Sequence, residues 1–446
     1  MMYRILCLSV VLSLGYSFPA NQDADVWKEP PLILTPFIES GKIEEARAKA
    51  LVTQLKPNIT SYAGFFNVDK KCDSNLFFWF FPSQSNMKKD PVSFWVNGDP
   101  GSSSMFGLLT ENGPYDLTLK NELKLREYSW NRNSSVIYFD IPVGTGYSFT
   151  RGKFPDCYAR NQTQVGRAVL TALEQFFKLF PELRNNQFYL TGESYAGKYL
   201  PGIAYAIHTS KTSVRLSGIA IGNGWTDPFT QLETSQLLYQ LGFIDEKDRD
   251  NFKVMEKKTQ QLILENRLNE ACDLMNALTD KFLEKANISN MYNYLTVGEF
   301  VEPDVGGYLN RTEVRKALHV GNATLYTGEL TYEAMKCDIM RTMKPWMEVL
   351  MDNYRVLFYY GQMDLWLTYT PSIEFIKTLH WKGMNDYKNA DRKLYKVGDD
   401  LAGYVKTAGN FTEMLIRNAG HMVPTDQPKW ALDMYNKFIF NIPFAR

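Results

Sequence analysis

Residues 188–197 read Phe188-Tyr189-Leu190-Thr191-Gly192-Glu193-Ser194-Tyr195-Ala196-Gly197. The apolar run 187–190 predicts a strand, 191–195 a turn, and 196–208 a helix that begins at once. A serine at the tip of such a strand–turn–helix junction is displayed at the edge of an α/β sheet, ready to act as a nucleophile. The small residues Gly192, Ala196 and Gly197 let the chain turn sharply and let helix and strand approach closely. The helix N-terminus aims backbone N–H groups and the positive end of its dipole at the place where an oxyanion would form. Ala196 stands where the strict G-x-S-x-G pattern has its last Gly, a difference of one methyl group.

Outward from this junction, aromatic and β-branched runs at 62–68, 75–81, 92–96, 136–140 and 216–221 predict strands. A short helix is expected at 43–55. A longer amphipathic helix is expected at 162–180, with Val165, Val169, Ala172, Leu173, Phe176 and Phe177 on one stripe and Pro181 beyond its end. From about 227 the pattern changes to charged helical segments such as 246–266, read as a helical cap insertion over roughly 227–330. Alternation then resumes, with strands at 356–360 and 411–416 and helices at 371–379 and 428–440. Strand–helix alternation predicts an α/β fold, a mostly parallel central sheet with helices on both faces.

A nucleophilic serine needs a base, and the base needs an orienting carboxylate. In an α/β-hydrolase fold the chain order is Ser, then Asp or Glu, then His. The expected strand 356–360 runs into Gly361-Gln362-Met363-Asp364, so Asp364 falls beyond a carboxyl end, where open α/β sheets bind ligands. His421 lies in the loop Asn418-Ala419-Gly420-His421-Met422-Val423-Pro424, between a strand and a helix. His208, His319 and His380 lie in or beside helical runs and read as surface or packing histidines. The candidate triad is Ser194, Asp364 and His421, and no cofactor or metal is called for.

The 446 residues carry 49 Lys+Arg and 49 Asp+Glu, a net charge of 0, and no run of Lys/Arg exceeds two. A nucleic-acid partner driven by phosphate neutralisation is therefore not expected. Hydrophobic residues at 45% and charged residues at 22% describe a folded chain rather than a disordered one. Residues 1–17 read as a signal peptide: Arg4, an apolar stretch 5–14, then Gly15-Tyr16-Ser17. No later segment reaches about 18 apolar residues, so membrane insertion is not expected. Cys7 would leave with the signal. Cys72, Cys157, Cys272 and Cys337 then suggest two disulfides with three possible pairings, and their spacing matches no zinc site. Sequons begin at Asn58, Asn133, Asn161, Asn287, Asn310, Asn322 and Asn410, as in a glycosylated protein of the secretory pathway, secreted or lysosomal.

Five segments together resemble the serine carboxypeptidase family: Trp95–Ser104 (WVNGDPGSSS), Pro142–Phe149 (PVGTGYSF), Gly192–Gly197, Ile221–Pro228 (IGNGWTDP) and Gly420–Pro424 (GHMVP). The resemblance runs from about residue 60 to the C-terminus. Residues 72–82 and 104–108 resemble its vitellogenic carboxypeptidase-like subgroup. It implies that residues 18–446 form one α/β-hydrolase domain that removes single residues from peptide C-termini. Ser194 would be the nucleophile, His421 the general base and Asp364 its orienter. Asn97, Glu111 and Glu193 would hold the substrate's terminal carboxylate, and the backbone N–H groups of Asp99 and Tyr195 would form the oxyanion hole. Carboxyl groups hold a carboxylate only by sharing protons, which favours acidic pH, whereas His421 must be neutral to act as base. Tyr115 and Tyr147 are candidates either for side-chain pockets or for the core. The expected partners are peptides with a free C-terminus, and a homodimer is left open.

The chain departs from the family at Asp99, where the pattern W-x-N-G-G-P-G has its second Gly. Asp keeps an N–H, but it disfavours positive φ, and a carboxylate near a developing oxyanion is repulsive. Loss of one such donor costs about 10²–10³ in turnover in a reference serine hydrolase. The expectation is an active enzyme, impaired or acid-shifted. The alternative is a weakened or inactive relative that binds peptides or serves as a storage or yolk-type glycoprotein. Ser102 replaces a Cys common in the family, so the disulfide usually made there is not expected.

Overall fold

The computed structural model describes residues 28–296 and 301–445. The expected signal segment and Cys7 lie outside the described residues. Ten strands form the main path of one large sheet: β1 Tyr62–Asp69, β2 Ser74–Phe81, β3 Val92–Val96, β4 Ser135–Phe139, β5 Phe188–Glu193, β6 Leu216–Gly222, β7 Arg355–Gly361, β8 Lys393–Val397, β9 Asp400–Ala408 and β10 Phe411–Ile416. Their order is β1-β2-β4-β3-β5-β6-β7-β10-β9-β8. The centre, β4-β3-β5-β6-β7-β10, is parallel throughout. Antiparallel pairs finish both edges.

The central strands are parallel because they are apolar on both faces. β3 (VSFWV) and β4 (SVIYF) are buried at every position, as expected where helices cover a sheet from both sides. Alternation then sorts their side chains. Val356, Phe358 and Tyr360 of β7 enter one core, and Leu357 and Tyr359 enter the other. Helices Gln162–Leu179 and Ala196–Thr209 pack together over the first core, and helix Pro428–Ile439 packs into the second. All six residues of the expected stripe on Gln162–Leu179 are buried. Each large apolar side chain so buried contributes about 1.5–3 kcal/mol.

Tyr115 and Tyr147 are core residues. Tyr115 packs against Trp79 and Phe81, and Tyr147 packs against Phe77 and donates to the Leu309 carbonyl at 2.6 Å. The β8–β9 hairpin was not expected, because on β8 only Tyr395 and Val397 are buried and the rest reads as a charged loop. Between β6 and β7 the chain forms a helical layer that includes Glu246–Leu264, Leu268–Ala286 and Glu329–Ile339. It has its own small core of Leu238, Ile244, Phe252, Leu278 and Phe282, joined by Leu365 from the loop after β7.

Of the two disulfides expected, one is formed. Cys72–Cys157 ties the β1–β2 turn to the loop after Phe149–Thr150. Cys272 and Cys337 are thiols, a correction to the expected pairing. Their sulfurs face different partners. The buried Cys272 lies 3.6 Å from the Tyr332 hydroxyl, and Cys337 donates to Asn269 Oδ1 at 2.9 Å.

Candidate active site

β5 delivers Ser194 to its turn. The Ser194 N–H donates to the Gly222 carbonyl at the end of β6, at 3.0 Å. The Ser194 carbonyl accepts from the N–H groups of Gly197 and Trp225, each at 2.9 Å. These bonds hold a serine at φ 63, a left-handed conformation that costs a non-glycine residue about 1–3 kcal/mol and persists only where its surroundings enforce it. The loop after β3 passes directly against this turn. A Cβ on Gly98 would stand 2.3 Å from the Tyr195 nitrogen and 2.7 Å from the Ser194 Cβ, so only glycine fits. That approach brings the Asp99 and Tyr195 backbones together at the wall of one cavity. Neither N–H donates to a protein acceptor among the described residues. Tyr195 is anchored from behind, its hydroxyl donating to Asp338 Oδ2 at 2.9 Å.

Asp364 follows β7 and meets His421 from the loop after β10. His421 Nδ1 and Asp364 Oδ2 are 2.7 Å apart, and both residues are buried. Asp364 Oδ2 also accepts from Asn223 Nδ2 at 2.8 Å. Its Oδ1 accepts from the Trp366 and Leu367 N–H groups at 2.7 and 3.1 Å. Both oxygens are thereby fixed, and the imidazole is oriented through Nδ1. The His421 N–H donates to the Tyr292 carbonyl at 2.6 Å. A side chain on Gly420 would meet that same carbonyl at 2.1 Å, which explains the glycine of the G-H-M-V-P segment. Ser194 and His421 line one cavity of about 540 Å³.

Near Ser194 lie Asn97 and Glu193, joined by Glu111, all buried. Asn97 Nδ2 donates to Glu111 Oε1 at 2.8 Å and to Glu193 Oε1 at 3.3 Å. The Asn97 amide cannot be flipped, because its Oδ1 accepts from Trp95 Nε1 at 2.9 Å and from the Gly107 N–H at 3.1 Å. Burial raises both carboxyls, and the Glu111 charge raises Glu193 further, well above the usual carboxylate range. Two adjacent carboxylates cannot both ionise here, so the pair retains a proton. Among the described residues no N–H or hydroxyl donates to the second oxygens, Glu111 Oε2 and Glu193 Oε2, and the two carboxyls meet each other through the retained proton.

Asp99 occupies a different setting. Its φ is 88, so the chain adopts the backbone that glycine would favour and keeps the N–H. Its carboxyl projects into the cavity and is exposed there. Its one hydrogen bond is a long one, from Ser102 Oγ at 3.4 Å. Its depth within the molecule pushes the carboxyl up to about 7.

The other histidines lie elsewhere: His208 and His380 are exposed, and His319 reaches the Leu51 carbonyl. Of the sequon asparagines, Asn58, Asn287, Asn322 and Asn410 are exposed, and Asn133, Asn161 and Asn310 are half-buried. The reading of single residues missed Asn223, although it stands in the I-G-N-G-W segment just past β6. It missed Glu302 too, which lines the cavity and is pushed up to about 7 by burial and the Glu111 charge. Nothing in the residues around Glu302 marks it. Among the described residues no helix is long and apolar enough to cross a membrane.

The family model for serine carboxypeptidase matches residues 52–441. A venom serine carboxypeptidase of Apis mellifera is 46% identical over 93% of this chain and 92% of its own length. The vitellogenic carboxypeptidase of Aedes aegypti is 41% identical over 92% and 89%. Among solved structures, Kex1, a prohormone-processing carboxypeptidase from Saccharomyces cerevisiae, aligns with a TM-score of 0.75 at 25% identity, covering 89% of this chain and 96% of that one. Family model, relatives and fold agree along nearly the whole described chain, and the protein belongs to the serine carboxypeptidase family, with the α/β-hydrolase architecture that its sheet displays.

Proposed function

We propose that the enzyme releases single residues from the free C-terminus of peptides, through an acyl-enzyme on Ser194. The observation that carries this reading is the acid pair joined by Asn97 beside the nucleophile. A proton-retaining Glu111–Glu193 pair whose second oxygens receive no other donor among the described residues, next to a fixed amide N–H, is suited to a carboxylate and poorly suited to continuing backbone. His421 takes the Ser194 proton as Oγ attacks the carbonyl carbon. The Asp99 and Tyr195 N–H groups receive the oxyanion. His421 then gives the proton to the leaving amine, and water repeats the sequence on the ester. Asp364 holds the tautomer and stabilises the imidazolium.

Acidic operation follows from the same pair. Its affinity for a carboxylate fades as pH rises and the retained proton leaves. We read residues 1–17 as a secretory signal, the helical stretch 227–330 as the cap over the cavity, and the seven sequons as glycan acceptors. Relatives named for venom and for vitellogenesis favour a secretory-pathway enzyme, secreted or lysosomal. The test is release of the C-terminal residue from an N-blocked dipeptide across pH 4–8. Wild-type activity no higher than that of Ser194→Ala at every pH would sink the reading. An equal rate on the C-terminally amidated dipeptide would sink the role of the acid pair.

A further inference from the structure

Asp99 is an acid without a counter-ion. No ion pair reaches it among the described residues, and its hydrogen bond from Ser102 is long. The cation on the cavity wall, Lys336, is already joined to Asp273 at 2.5 Å. Against it the wall carries Asp99, Glu193, Asp273, Asp280, Glu302 and Glu333. The cavity wall is thus rich in acids, and its low-dielectric setting strengthens the attraction of an ionised carboxylate there for a cation.

The position of Asp99 assigns its charge to one part of the substrate. If Asn97, Glu111 and Glu193 hold the terminal carboxylate, the leaving residue lies on their side of Ser194, and the rest of the peptide must depart on the other. The Asp99 loop runs against Gly328, 2.8 Å from where a Cβ on Gly101 would stand, and the Asp99 carboxyl acts on Tyr199 and Tyr332 and not on the glutamate pair. The cavity wall continues from it through Thr327, Tyr332 and Lys336. We propose that Asp99 is a specificity residue that selects substrates with Lys or Arg at the penultimate position, its carboxylate pairing with the side chain on the acyl side of the cleaved bond. A guanidinium would satisfy both carboxylate oxygens at once. The inference rests on the carboxypeptidase reading above, and it gives this chain's departure from glycine a positive role.

The test compares kcat/KM at about pH 7.5, where the Asp99 carboxyl is largely ionised, for three N-blocked dipeptides: Arg-Leu, Leu-Leu and Leu-Arg. Wild type is expected to favour Arg-Leu over Leu-Leu by about tenfold or more, as for a hydrogen bond to a charged group. Asp99→Asn keeps the N–H and tolerates positive φ, and it should bring the ratio near one mainly through a higher KM for Arg-Leu. Asp99→Glu should retain part of the preference. A wild-type ratio near one, a ratio unchanged in Asp99→Asn, or a basic preference confined to Leu-Arg would overturn the proposal while leaving the carboxypeptidase reading intact. Failure of wild type on all three, with none released above the Ser194→Ala background, would overturn both.

Discussion

Ser194 shares its cavity with two acidic sites built on opposite principles. In one, Glu111 and Glu193 are buried, share an amide donor and hold a proton between them. In the other, Asp99 faces open cavity with a single long hydrogen bond. The first is an acid pair with a proton to share, which can approach another carboxylate. The second is an uncompensated acid, which can only attract a cation or a proton. The same residue type serves opposite purposes because burial and partners, not identity, set its charge state.

Ser194→Ala breaks turnover while leaving both sites in place. A kcat loss of about 10⁶ is expected, as for the nucleophile of a reference protease, with binding of an N-blocked dipeptide retained by calorimetry. Asp364→Asn should cost about 10⁴ in kcat by releasing the imidazole to the wrong tautomer, and kinetics across pH would show no compensating shift. At the glutamate pair, Asn97→Ala should lower kcat/KM on free-carboxyl substrates by about 10–100-fold, since the amide N–H that orients the pair is gone. Glu193→Gln should flatten the alkaline limb of the pH profile, because an amide has no proton to lose. If the limb stays unchanged, the pair does not set it.

Stability offers a smaller and independent reading of the same contrast. The carboxyls of Asp99 and Glu302 rise to about 7 and that of Asp140 to about 6, and those of Glu111 and Glu193 are raised as well. Between about pH 4 and 7 the folded state therefore binds more protons than the unfolded chain. Stability is full below the ordinary carboxylate range and declines as pH rises through these values. His319, pushed down by burial, opposes this in the acidic part of the window. Differential scanning calorimetry should show Tm falling by about 2–5 °C from pH 5 to 7.5. Asp99→Gly should have the smallest effect. It relieves the strain of φ 88 and stabilises by about 1 kcal/mol, with turnover of a Leu-Leu substrate changed by less than about threefold. A rescue of 10² or more would mean that the Asp99 carboxylate reaches the oxyanion after all.

Much of the fold was legible in residues. The expected strands at 92–96 and 411–416 match the observed bounds, and the helix expected at 162–180 runs Gln162–Leu179. These elements have strong periodicity and face a core on one or both sides. The β8–β9 hairpin escaped because its buried positions are scattered among lysines and other exposed residues and form no continuous apolar run. The triad candidates were legible through local context, a serine at a strand–helix turn and an acid past a strand end. Asn223 and Glu302 were not, because each matters only through what lies beside it in space.

Sequence by itself determined the parallel sheet, the serine turn, the order of Ser194, Asp364 and His421, and the family. Each of those is written in neighbouring residues, where propensity and periodicity act. Tertiary structure decided what no local window holds. It left Cys272 and Cys337 as thiols, sent Tyr115 and Tyr147 to the core, and placed two glutamates from distant segments on one asparagine. It also turned the Asp99 side chain into the cavity while its N–H stayed beside that of Tyr195. The reason is common to all four: burial and through-space charge depend on which atoms surround a group, and chain order alone does not specify them.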